Sequence, residues 1–238
     1  MTDVAHPDAP VAPSASLWED FIDIFYAPRQ VYARRRDGRF GLVLLIFTLL
    51  TAVLFFAMQG PLAEAFAAEF QRNAPQAGGA GGQMTAEQMA QARRMATIFG
   101  MLGVLVGVPL AVVATGAVLW AVGKLFEFSG TLGMAILVIT YAQIPRLLQS
   151  VAMLLQGLLG DARSLAATSI GPARFLDPDT TSATLMAILM RLDVFYVWST
   201  ILIAIGAQVI GRVPPARSYL LAVLVWAAGA IPTLAGAM

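Results

Sequence analysis

Long apolar stretches separated by short polar turns dominate this chain. Residues 40–58 hold only apolar residues, small residues and threonines, and Gln59-Gly60-Pro61 closes the run. As a helix these 19 residues rise about 28 Å, close to the thickness of a bilayer core. A second run, 96–122, is long enough to tilt. Its small residues Gly103, Gly107, Ala111 and Thr115 recur every fourth position and predict a ridge for close helix approach. Pro109 predicts a kink in the same run. The third run, 131–159, is interrupted by Tyr141-Ala142-Gln143-Ile144-Pro145-Arg146. It reads as one kinked span, with a broken or re-entrant helix as the alternative. Residues 160–181 form a polar loop and 182–191 a short interfacial helix, before a fourth run at 192–210. After the turn Gly211-Arg212-Val213-Pro214-Pro215 comes a fifth, 218–234, interrupted by Pro232. The pattern predicts an all-α, polytopic membrane helix bundle of about five transmembrane helices.

The first 15 residues are polar and Pro-rich and read as a disordered tail. Order is expected from Ser16, which with Glu19 fits a capping box. The helix that follows puts Leu17, Trp18, Phe21, Ile22 and Phe25 on one face and mostly Glu19, Asp20 and Asp23 on the other. Pro28 ends it or starts a second short helix, which leads into Arg34, Arg35, Arg36 and Arg39. Two readings stand side by side. The segment lies in the headgroup layer, with Trp18 down and Arg34, Arg35 and Arg36 on anionic lipid, or it caps the end of the bundle. Residues 62–72 form another amphipathic helix, 73–83 a Gly-rich flexible linker, and Thr85 to Gln88 a second capping box.

Composition agrees with a bilayer environment. Hydrophobic residues make up 58% of the chain and charged ones 12%, about half the charged share of a soluble domain. No apolar leader precedes residue 40, so the first span is expected to serve as both targeting signal and anchor. A net charge of +1 gives no pull toward nucleic acid. With no cysteine and a single histidine, His6, thiolate chemistry is excluded and no metal site is expected. No phosphate loop, zinc-protease or nucleophile-elbow pattern occurs, so neither catalysis nor a cofactor is expected.

Arg146 is the most unusual residue. An arginine in lipid costs at least about 2.5–3.5 kcal/mol on insertion scales, so it should face protein or water. Gln143, Arg146 and Ser150 share a helical face, with Gln149 beside them. The stripe is either a site for a substrate, ion or lipid headgroup, or a hydrogen-bond cluster that glues helices together. Asp193 opens the fourth run and has Arg146 and Arg191 as possible partners. Trp120, Trp198 and Trp226 read as interfacial anchors or packing residues.

Several of these pieces together resemble the Yip1 family of membrane proteins. They are Phe25-Tyr26-Ala27-Pro28 before the first span, Tyr141 with Pro145 in the third, and Leu192-Asp193-Val194-Phe195-Tyr196-Val197-Trp198 running into Leu202-Ile203-Ala204-Ile205-Gly206. The closing Arg-Val-Pro-Pro-Ala-Arg-Ser turn also fits, and the resemblance covers about 17–236. It implies a five-span membrane protein and marks Tyr141, Pro145, Asp193 and Trp198 as matching positions without a catalytic role. The family's eukaryotic members are linked to vesicle traffic and Rab-type GTPases. The Ala/Gly/Arg-rich composition looks bacterial, so that partnership is not carried over.

Arg29, Arg34, Arg35, Arg36, Arg39, Lys124, Arg212 and Arg217 fall on one side of the alternating spans. The other side receives Arg72, Arg93, Arg94, Arg163, Arg174 and Arg191. Eight against six places the N-terminus in the cytoplasm and the C-terminus outside, in a bacterial inner membrane. The expected function is a non-enzymatic membrane scaffold or membrane-organising protein. The alternative is a small transporter or channel subunit with a polar path at Gln143, Arg146 and Asp193. The lipid bilayer is the expected partner, and membrane proteins or a second copy are the candidate protein partners.

Overall fold

Helix is the regular structure throughout the described residues of the computed structural model, which are 16–73, 86–160 and 164–231. The predicted tail and nearly all of the predicted linker lie outside them, as does Pro232. The order is α1 (Leu17–Asp23), α2 (Pro28–Arg34), α3 (Gly41–Met58), α4 (Ala63–Asn73), α5 (Ala86–Leu102), α6 (Val108–Gly123), α7 (Leu132–Ala142), α8 (Pro145–Leu158), α9 (Ala183–Met190), α10 (Val194–Val209) and α11 (Pro215–Ala228).

Among the described residues three helices are long and apolar enough to cross a bilayer: Gly41–Met58, Arg94–Phe126 and Leu132–Leu158. The pair α9–α10, bent by 57°, makes a fourth if it acts as one span. α11 is apolar but only 14 residues long, about 21 Å at the helical rise, so the predicted count of five is not reached on these grounds. On α3, Leu42, Leu45, Leu49, Val53 and Phe56 are exposed, while Val43, Leu44, Phe47, Thr48 and Ala52 are buried. An exposed stripe of large apolar side chains, one per turn, is the surface lipid covers.

The third run is one kinked span. Pro145 has no N–H to bond back to Tyr141, so the chain tightens there. Ile144 N donates to the Tyr141 carbonyl at 3.1 Å and Arg146 N to that of Gln143 at 2.9 Å. In the second span the irregularity is a π-helical turn, Gly103–Gly107, just before Pro109. The predicted small-residue ridge is corrected here. No atom outside their own helix and chain neighbours approaches a Cβ built on Gly103 or Gly107. The close approach is one residue off the ridge, at Gly116, where a Cβ would come within 2.7 Å of the Ile136 backbone. Gly206 does the same on α10, against Val138 and Tyr32. These contacts let α6 and α10 pack on α7, while α10 also packs on α11 and α3 on α8.

α1 and α2 fold against one end of this bundle. Ile24, Val31 and Tyr32 are fully buried there, and the Tyr32 hydroxyl donates to the Val138 carbonyl at 3.3 Å. Arg29 donates to Gln208, near the end of α10, at 2.6 Å. The bundle's half nearest this cap is densely packed. Leu119, Leu137, Val138, Leu202, Ala207 and Leu221 are all fully buried. The other half is hollow.

Candidate functional site

Asp20 is the centre of the cap. Its carboxylate is 0% exposed and accepts from Arg34 Nε at 2.7 Å, Arg35 Nε at 2.6 Å and the Tyr141 hydroxyl at 2.8 Å. The capping box that starts α1 is formed, with Ser16 N donating to Glu19 and Glu19 N to Ser16 Oγ. Arg34 also donates to Asp23, which in turn accepts from the Tyr26 hydroxyl. The Tyr26 bond, and then Arg34, holds the Asp23 carboxyl below its ordinary range. Burial pushes the Tyr32 hydroxyl well above its usual value. Of the four residues expected at the membrane surface, Arg34 and Arg35 are turned onto Asp20 and tie α2 to α1, while the Tyr141 hydroxyl joins Asp20 to the bundle. Trp18 and Arg36 stay exposed, and Trp18 shares its open face with Ile22 and Tyr26.

In the hollow half lies a cavity of about 430 Å³ to which α3, α6, α8, α10 and α11 all contribute lining residues. The break at Gln143-Ile144 aims one face of α8 into it. Gln143, Arg146, Gln149 and Ser150 line it, while Leu148, Val151, Leu155 and Leu158 on the other face are exposed to lipid. The predicted polar stripe therefore exists and faces inward. Arg146 donates to the Tyr196 hydroxyl at 2.7 Å and to Gln143 Oε1 at 3.4 Å, and its guanidinium carbon lies 4.3 Å from the Tyr196 ring centroid.

Arg191 faces the same space. It donates to the Trp226 carbonyl in the last turn of α11 at 2.6 Å, a position that suits a cation. Its guanidinium carbon lies 5.4 Å from the centroid of the same Tyr196 ring and 5.3 Å from that of Trp226. Its Nε is buried without a partner. Two cations thus share one tyrosine, and among the described residues no carboxylate, histidine or lysine lines the cavity with them. Their guanidinium carbons are therefore within about 10 Å of each other, where at an effective dielectric of ~20 the repulsion is at least of order 1–2 kcal/mol.

The candidate pairing of Asp193 with Arg146 or Arg191 does not form. Asp193 is fully buried, and accepts from Ser169 Oγ at 2.9 Å, Ile170 N at 2.7 Å and Phe195 N at 3.0 Å. It caps α10 and latches the preceding loop, which presses close enough that a Cβ on Gly171 would sit 2.9 Å from Asp193 Cα. A carboxylate already holding three donors at the helix start does not reach an arginine in the cavity. Trp198 packs against the core with its indole N–H buried and without an acceptor. Tyr141 belongs to the cap and Pro145 to the break, so Gln143 and Arg146 alone of the predicted cluster line the cavity. Sequence reasoning missed Tyr196, Ser199 and Thr200. Their spacing on one face of α10 was the available signal.

No curated protein and no solved structure is found to match this chain. A family model described as the Yip1 domain matches residues 22–236. That is nearly the whole chain, and the chain belongs to the Yip1 family.

Proposed function

We propose that this membrane protein is a non-enzymatic, membrane-organising scaffold whose bundle encloses a binding cup open in one half only. The observation that carries this reading is the asymmetry of packing. A polar cavity occupies the half away from the cap, while the cap half is filled by side chains with no exposed surface. The titratable side chains lining the cup are Arg146, Arg191 and Tyr196. They suit holding a negative group, and among the described residues they are joined by no carboxylate or imidazole of the kind proton transfer near neutral pH uses.

The transporter or channel reading draws on the same cavity, through Gln143 and Arg146. It requires the polar path to continue past the rings of Tyr141 and Tyr32, which are buried in the hydrophobic core and fill the bundle at that level, the Tyr141 hydroxyl being held by Asp20. Proteoliposomes loaded with chloride or phosphate separate the two. The scaffold reading expects no anion efflux above that of empty liposomes, and protein-dependent efflux would replace it with transport.

The same reading puts the cap on the cytoplasmic side of a bacterial inner membrane and the C-terminus outside. Lys124, Arg212 and Arg217 lie at the cap's end of the bundle, which supports it. A membrane-impermeant maleimide applied to intact spheroplasts should label Phe175→Cys and spare Arg36→Cys. The reverse pattern would invert the topology.

A further inference from the structure

The polar cavity has a neighbour on its α10–α11 side. At Arg191, Thr200 and Trp226 it adjoins a second space of about 290 Å³ on the α10–α11 face. That groove is lined with Leu192, Val197, Tyr219 and Val223, which are 43–51% exposed on the surface that lipid covers. A cationic chamber thus lies beside an apolar furrow, with Arg191, Thr200 and Trp226 facing both, within helices that sit in a bilayer. Guanidinium groups favour phosphate through paired, charge-assisted hydrogen bonds. Arg191 has a buried Nε free to make one, and among the described residues Arg146 is engaged by the neutral acceptors Gln143 and Tyr196.

We propose that the cavity and the groove together hold one anionic membrane lipid, its headgroup phosphate between Arg146 and Arg191 and an acyl chain along the α10–α11 furrow. This rests on the reading of the cavity as a binding cup and names its ligand class. A soluble anion would need the arginines and have no use for the furrow. A zwitterionic lipid would bring its own cation into a chamber that already holds two.

The test is native mass spectrometry of the full chain in detergent, titrated with phosphatidylglycerol, phosphatidylcholine or inorganic phosphate. Phosphatidylglycerol should bind about tenfold more tightly than phosphatidylcholine, the scale of one charge-assisted hydrogen bond. Arg146→Gln and Arg191→Gln should each weaken it about tenfold. Val223→Trp, a change on the lipid-facing surface that leaves both arginines in place, should weaken the lipid and not phosphate. Equal binding of the two lipids overturns the proposal, as does full retention of phosphatidylglycerol by the double arginine variant. Phosphate binding that matches the lipid's and is indifferent to Val223→Trp assigns a free-anion site instead and also overturns it. Labelling of Ser150→Cys by a water-soluble maleimide separates the two levels of failure. A labelled cysteine with no lipid preference leaves the cup standing and removes the lipid; an unlabelled one removes the cup itself.

Discussion

At the scale of single residues, the charged groups divide into those already matched and those left to a ligand. Asp20 and Asp193 are matched, each fully buried with three donors around it. Asp20→Asn should cost about 2 kcal/mol and free α1, because it leaves two arginines that can still reach water. Limited proteolysis of the N-terminal segment reads that loss, and unchanged protection would show that the cap is held by packing alone. Asp193→Ala removes a helix cap and a loop latch together and should cost about 2–3 kcal/mol. Thermal unfolding in detergent measures it. The cap also carries a pH dependence. Asp23 is held below its usual pKa of 3.8, so its stabilising contribution is complete above that value and fades as pH falls through the folded one. Lower protection factors for the α1 amides at pH 2 than at pH 5, after correction for the intrinsic exchange rate at each pH, and a smaller difference in Asp23→Asn, are the expected result. Arg146 was legible in the sequence because a cation in an apolar run is conspicuous. Arg191 was not, because it sits at a helix boundary where arginine is ordinary, and only the 57° bend turns it into the bundle.

Between elements, glycine decides where helices meet. The four-residue recurrence at Gly103 and Gly107 resembled a packing ridge, yet the contact is at Gly116, against the backbone of Ile136. A recurrence identifies a face that permits approach, and the partner's position decides where along it approach occurs. Gly116→Val should therefore cost about 1–3 kcal/mol by overpacking, while Gly107→Ala should be near neutral, both read as shifts in unfolding temperature. Equal effects would mean that the α6–α7 contact is looser than described. The break before Pro145 was readable from the sequence, since a proline inside an apolar run removes a donor wherever the chain goes. What the break aims at was not, because the polar face of α8 acquires meaning only opposite Tyr196 on α10.

For the whole molecule, hydrophobic periodicity made a membrane helix bundle legible at once, since runs of about 20 apolar residues have few other homes. The count of spans was less so. α11 is short and α9–α10 is bent, and composition does not record where an apolar run stops being helix. The division into a packed half under the cap and a hollow half beyond it was not legible. Both halves are built from similar apolar residues, and only their three-dimensional placement separates them. The cup that this division creates is tested most directly by thiol labelling in proteoliposomes of known orientation, a clean measurement because the chain has no cysteine of its own. Ser150→Cys should react with an impermeant maleimide added on the side opposite the cap, and should stay unlabelled when reagent is added on the cap side. Labelling from both sides, or from neither, would contradict a cavity that opens at one end.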